Sequence, residues 1–337
     1  MLPPRWLRRL LLAPTTIALA TLYLFTAPLW LFAAAAASPL VPGRLRPLRL
    51  LWMATLHLVF EALILIVLFG LWLAAGLGYN LQRPWFQRRH YDLMRWYLRV
   101  IYAEARRVLH VRVSVEGPPP EAYRDRPLLV FSRHAGPGDS FLLMHALLNW
   151  YGREPRIVLK HTLQWDPAID ALLNRLPTVF IPPGPRDAVE DRIRELSTGL
   201  DGDDAVVIFP EGGNFTEGRR ARAIARLRQI GLEPMARRAE AMRYVLAPRP
   251  GGVTAALEAA APGAYVAWVA HTGVDHLQTV LDVWRELPMD KGIAMHWWLC
   301  PPEEIPSGRE ERTEWLYGWW ERIDAWIAAQ RTTPPED

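Results

Sequence analysis

Lysine is nearly missing from this chain: Lys160 and Lys291 are the only two among 337 residues, so arginine carries the positive side of a net charge of +4. Cysteine is scarcer still. Cys300 stands alone, which excludes an intrachain disulfide and a thiolate metal cluster. It ends the apolar run Ala294 to Leu299, where a buried strand thiol is expected rather than a nucleophile. No G-x-S-x-G elbow, phosphate-binding P-loop, dinucleotide fingerprint or internal repeat is found. Outside the segment that follows the apolar stretches, no basic run interleaves with aromatics, so nucleic acid is not an expected partner.

Charge itself is absent over two long stretches. From Leu10 to Gly43 there is no charged side chain, and from Leu50 to Asn80 the only one is Glu61. About 20 apolar residues cross a bilayer, so each stretch is long enough for one helix and residues 1–82 are expected to form a membrane hairpin. A cleaved signal peptide fits poorly, because the first apolar part is too long and a second follows at once. Glu61 is expected to face the partner helix or to snorkel. Arg5, Arg8 and Arg9 before the first span, with Arg83, Arg88, Arg89 and His90 after the second, place both ends on the cytoplasmic side. Arg44, Arg46 and Arg49 between the spans pull the other way, which a hairpin that enters without crossing would reconcile. Trp85 to Leu109 mixes aromatics with arginine and reads as an amphipathic helix at the interface, or equally as an ordinary packing helix, followed by a lead-in strand that completes residues 83–116. The expected location is the cell membrane, with the site at the cytoplasmic face and membrane lipids as partners.

Beyond Gly117-Pro118-Pro119-Pro120 the pattern alternates. Strands are expected at 128–131, 156–160, 178–181, 205–209 and 264–270, with helices at 140–151, 166–175, 187–200 and 219–228 between them. Such alternation implies an α/β layered domain, residues 117–331, with a largely parallel sheet flanked by helices. The last helix, 310–330, carries Trp315, Trp319, Trp320 and Trp326 as core, and a disordered tail is expected over 332–337.

Two strand ends carry the chemistry. Phe131-Ser132-Arg133-His134-Ala135-Gly136-Pro137-Gly138-Asp139 sets an imidazole and a carboxylate in a bent loop between a strand and a helix. A carboxylate that accepts the imidazole N–H fixes one tautomer and leaves the other ring nitrogen free to take a proton. The spacing alone also fits a helix N-cap beside a loop histidine. The second strand ends in Phe209-Pro210-Glu211-Gly212-Gly213, a Pro/Glu/Gly turn. His271, Asp275 and His276 are the one other cluster with metal-ligand side chains, and ordinary loop residues are the commoner reading of it, so no metal is expected.

His134 with Asp139, followed by Phe209-Pro210-Glu211-Gly212, resembles the paired motifs of the glycerolipid acyltransferase family, whose best-known members are 1-acylglycerol-3-phosphate acyltransferases. Within it, Phe209 to Thr216 and Val245-Leu246-Ala247-Pro248-Arg249 look like the branch with lysocardiolipin and plant-type lysophosphatidate acyltransferases. The resemblance implies transfer of a fatty acyl group from acyl-CoA or acyl carrier protein to a lysophospholipid hydroxyl, with the thioester as co-substrate and no bound cofactor. It makes His134 the base and Asp139 its orienter. Glu211 would accept hydrogen bonds from substrate or from neighbouring loop amides, and Gly212 would let substrate approach the backbone. The chain departs from the family at phosphate recognition. Gly213 and Asn214 stand where many relatives have Thr-Arg, and Pro183 stands where the arginine after Phe180-Ile181 is expected. Arg186, Lys160, Arg219 and Arg220 are the candidate replacements. Backbone amides after His134 or at the next helix start are expected to serve an oxyanion.

Overall fold

The computed structural model describes residues 2–332 other than 183, 185, 276 and 278, so the expected tail lies almost wholly outside the described residues. The chain opens with three long helices, α1 (Arg5–Ala37), α2 (Arg46–Ala74) and α3 (Pro84–Leu109). Strands β1 (Arg112–Glu116), β2 (Leu128–Ser132), β3 (Glu154–Lys160), β4 (Thr178–Ile181), β5 (Asp204–Ile208), β6 (Tyr265–Thr272) and β7 (Gly292–Cys300) follow. The helices among them are α4 (Pro137–His145), α5 (Pro167–Leu173), α6 (Arg186–Leu196), α7 (Glu217–Gln229), α8 (Glu233–Ala241), α9 (Pro250–Ala259) and α10 (Val280–Glu286), with α11 (Arg309–Thr332) last. The strands form one sheet in the order β1-β7-β6-β2-β5-β3-β4. Its pairings are parallel except β6 with β7, among those with a described register.

The chain divides into two compact units that cut across the boundaries expected from composition. The first holds residues 1–111, 159–182 and 280–290, and the second holds 112–158, 183–279 and 291–337.

In the first unit, α1 and α2 are each long and apolar enough to cross a membrane. Their small or apolar residues Ala20, Ala27, Phe60, Ile64, Leu65 and Leu68 are buried, whereas Leu22, Phe25, Leu29, Trp30 and Phe32 are exposed. α3 buries His90, Tyr91, Leu93, Met94 and Leu98 and leaves Trp85 and Trp96 exposed, the two-faced pattern its sequence implied. Segment 159–182 belongs here because α5 supplies a buried acid: Asp170 pairs with Arg8 at 2.5 Å and with Arg9 at 3.0 Å. An unpaired charge in that setting would be costly, so the pairing ties the segment to the start of α1. Glu61, expected to face the partner helix or to snorkel, has a carboxylate oxygen within 4.8 Å of ligand atoms of His57 and Asp166.

In the second unit, β2 and β5 are buried at every position, as strands covered on both faces must be. Trp268 on β6 packs on three indoles of α11, stacking with Trp319 at 5.1 Å and meeting Trp315 and Trp320 edge-on. Trp320 is buried and Trp315, Trp319 and Trp326 are half-buried, so these indoles pack against the sheet as expected. Helix α4 starts three residues earlier than its apolar pattern implied because Pro137 fits the first helical turn, where no backbone N–H is needed. Helix α9 was hidden by Pro250-Gly251-Gly252 at its start, residues that ordinarily mark a loop.

Candidate active site

Strand register brings the site together. Phe131 on β2 is level with Ile208 on β5 and with Trp268 on β6. Neighbouring strands lie about 4.8 Å apart, so residues equally far beyond a shared level meet at the sheet's carboxyl edge. Three positions on from that level stand His134, Glu211 and His271.

His134 directs Nδ1 to Asp139, at 3.1 Å from Oδ1 and 3.2 Å from Oδ2. Its ring packs on Phe209, centroids 4.4 Å apart, and is 16% exposed. Its backbone is held on both sides: its N–H donates to Glu211 Oε1 at 3.1 Å and its carbonyl accepts from Phe215 N–H at 2.8 Å. The ring is thus fixed in a corner with one nitrogen committed and a small part open.

Asp139 sits in the first turn of α4, where the exposed amides of a helix start favour a carboxylate. It is buried, and accepts from Ala135 N–H, from Gly136 N–H at 2.9 Å and from Ser140 Oγ at 3.0 Å. Burial alone would raise its pKa, but hydrogen bonds and charge from His134 and His271 outweigh it and hold the carboxyl well below the usual range. Asp139 is therefore an anion at neutral pH. Of the amides after His134 that were expected to include oxyanion donors, those of Ala135 and Gly136 are spent on this carboxylate.

Glu211 is fully enclosed. Oε1 accepts from His134 N–H and Oε2 from Leu246 N–H at 3.0 Å, so of its two expected partners the structure shows the loop amides. Burial pushes its pKa up to about 8, against the pull of Arg133 and those two amides. It clamps the loop that carries His134 to the segment after α8.

Gly212 adopts φ +68°, and a Cβ there would come within 2.8 Å of the Arg249 guanidinium. That close approach is why the turn takes glycine. Arg249 is exposed and joins the same turn through its N–H to the Pro210 carbonyl at 2.9 Å. Arg219 reaches the next residue, its Nη1 3.7 Å from the place of a Gly213 Cβ and 3.0 Å from the Asn214 carbonyl. Two guanidiniums thus flank Gly212-Gly213. Arg249 was not among the candidates read from the sequence, although the Ala247-Pro248-Arg249 run was visible.

The remaining candidates lie elsewhere or are engaged. Lys160 ends β3, is exposed and belongs to the first unit. Arg186 begins α6, but its side chain lies outside the described residues, as does Pro183. Arg220 donates to the carbonyls of Met242 and Glu240, both at 2.7 Å. Of the cluster His271, Asp275 and His276, the last lies outside the described residues and Asp275 pairs with Arg133 and Arg331. Arg133 is buried, with its guanidinium on the carbonyls of Tyr244 and His271. Cys300 is buried, and burial with Glu304 beside it pushes the thiol up to about 12, so it stays protonated.

A sharply held imidazole, an anionic orienter and a glycine turn lined by guanidiniums suit proton removal from a hydroxyl beside an anionic group. No curated protein and no solved structure matches the chain. Residues 112–271 match the family model described as Acyltransferase. That stretch contains His134, Asp139, Glu211 and His271, so over these residues the chain is similar to acyltransferases.

Proposed function

We propose that this protein transfers a fatty acyl group from acyl-CoA or acyl carrier protein to the free hydroxyl of 1-acylglycerol-3-phosphate, giving phosphatidate. The observation that carries this reading is the His134–Asp139 pair at 3.1 Å, seated on the Phe209-Pro210-Glu211 corner. His134 takes the hydroxyl proton on its free Nε2 as the oxygen attacks the thioester carbonyl, and Asp139 holds the resulting imidazolium. The thiolate of the donor then leaves and collects a proton. A thioester is already activated, so no covalent enzyme intermediate is required.

Arg249 and Arg219 beside Gly212-Gly213 supply the cations for the acceptor phosphate in place of the arginine the family motif lacks here. The test is acyl transfer by the purified protein over lysophosphatidate, glycerol-3-phosphate, lysophospholipids with larger headgroups and a neutral monoacylglycerol. Lysophosphatidate is expected to be the best acceptor. Arg249→Ala raises its KM by about 10- to 100-fold, the worth of a charge-assisted hydrogen bond, and leaves the KM of the neutral acceptor unchanged. Equal loss on both acceptors removes Arg249 from phosphate recognition. Release of free fatty acid without acceptor dependence points instead to a hydrolase.

The hairpin is read as embedded in one leaflet without crossing. Polar segments hold both of its ends. At the start of α1, Arg8 and Arg9 bind Asp170, while Arg5 donates to the Asn174 carbonyl at 3.2 Å. At the turn, Arg46 donates to the Leu287 carbonyl at 2.8 Å, Arg44 pairs with Asp290 at 3.4 Å and Arg49 meets the Val108 carbonyl. A helix of 33 residues is about 50 Å long, so a full crossing would put one holding segment on each side of the bilayer. Both segments leave and rejoin the acyltransferase domain in sequence, which requires them on one side. Cysteines placed at Pro3 and at Pro42 in a Cys300→Ala background are expected to react with a membrane-impermeant maleimide from the same face of sealed vesicles. Labelling from opposite faces ends this reading.

A further inference from the structure

The carboxylate that orients His134 has a second imidazole on it. His271, the penultimate residue of β6 and 1% exposed, places Nε2 3.4 Å from Asp139 Oδ2 and 3.1 Å from the Arg133 carbonyl. Both neighbours are acceptors, so Nε2 carries the proton. Nδ1 is buried and has no hydrogen-bond partner among the described residues.

The ring has no freedom to turn away. Arg133 Nη1 donates to the His271 carbonyl at 3.0 Å while His271 Nε2 donates to the Arg133 carbonyl, a reciprocal exchange between the residue before the base and the end of β6. Arg133 N–H adds a bond to the Val269 carbonyl at 3.1 Å. Asp139 thus has Oδ2 met by Ala135 N–H, Gly136 N–H and His271, Oδ1 met by Ser140, and His134 Nδ1 shared between the two at 3.2 and 3.1 Å.

We infer that His271 is a positioning residue for acyl transfer: its Nε2–H, bonded to the Arg133 carbonyl, also faces Asp139 Oδ2 at 3.4 Å and holds the carboxylate aligned with His134 Nδ1. A donor on the far oxygen also supports the anion that must hold the imidazolium. An apolar residue of similar size would fill the space without an orphaned ring nitrogen, so packing alone does not account for histidine here. The inference rests on His134 and Asp139 being the base and its orienter.

Three variants and one cycle test it, with kcat, KM for thioester and acceptor, and thermal melting measured for each. His271→Leu is expected to lower kcat by about 10- to 100-fold, the worth of one hydrogen bond to a charged group, with both KM values within about twofold of wild type. His271→Gln, whose amide N–H reaches the place of Nε2, recovers most of kcat; His271→Asn, whose amide reaches only the place of Nδ1, does not. In an Asp139→Asn background His271→Leu costs nothing more, because the contact it removes is already lost. Wild-type kcat in His271→Leu overturns the inference, and so does the same fold-loss with and without Asp139→Asn. Should His271→Leu fail to fold, equal kcat in the Gln and Asn variants at matched melting temperature overturns it. If His134→Ala and Asp139→Asn are themselves fully active, the parent reading has failed. If they are inactive while His271→Leu is not, this inference alone has.

Discussion

His134→Ala is expected to lower acyl transfer to lysophosphatidate by about 10²- to 10⁴-fold while the protein folds and still binds its thioester. The fold should survive because main-chain groups, not the imidazole, hold the loop. The N–H of residue 134 donates to Glu211 and its carbonyl accepts from Phe215, and alanine keeps both. What is lost is the ring on Phe209 and the nitrogen that takes the hydroxyl proton. The loss therefore falls on kcat, with the thioester KM little changed, and a melting curve near that of wild type separates chemistry from collapse. Wild-type turnover by purified His134→Ala would remove the base from the mechanism.

The corner around His134 was half legible in the sequence. His134-to-Asp139 and Phe209-to-Gly213 each follow an apolar run, and the α/β alternation implied that both runs end at one sheet edge. Which strands are neighbours was not legible, because strand order depends on pairings between distant segments. Once β2 is known to lie between β5 and β6, counting three residues from Phe131, Ile208 and Trp268 finds His134, Glu211 and His271 together. His271 was singled out in the sequence only beside Asp275 and His276, as metal-ligand side chains, and nothing local ties it to His134. Glu211 shows the converse. Its motif was plain, but its two oxygens go to amides of residues 134 and 246, contacts that no spacing rule encodes. The hairpin was legible from its missing charges, whereas the membership of 159–182 in the same unit was not. Asp170 looks like any helix acid until Arg8 and Arg9 are seen around it.

Asp139→Asn is expected to be as damaging as loss of the base, on the order of 10³- to 10⁴-fold in kcat, even though one oxygen and the shape are kept. Among the described residues the polar neighbours of this carboxylate are donors: Ala135 N–H, Gly136 N–H, Ser140 Oγ, His134 Nδ1 and His271 Nε2. If the new amide nitrogen faces Oδ2's partners, backbone donors meet a donor and the turn that carries His134 opens. If it faces Oδ1's partners, His134 must present a bare Nδ1 and move its proton to Nε2, the atom that has to receive one from the substrate. Either arrangement disables the base. Stability moves with pH in a definite direction. The carboxyl is held below its usual range in the folded chain, so its contribution is fully present above the unfolded value of about 3.9 and is lost as pH falls below it. Asparagine does not titrate. The gap in melting temperature between wild type and Asp139→Asn should therefore be at full size near neutrality and narrow as the solution is taken toward pH 3. A gap that stays constant over that range would mean Asp139 is not buried as an anion, and the imidazolium would then have no counter-charge.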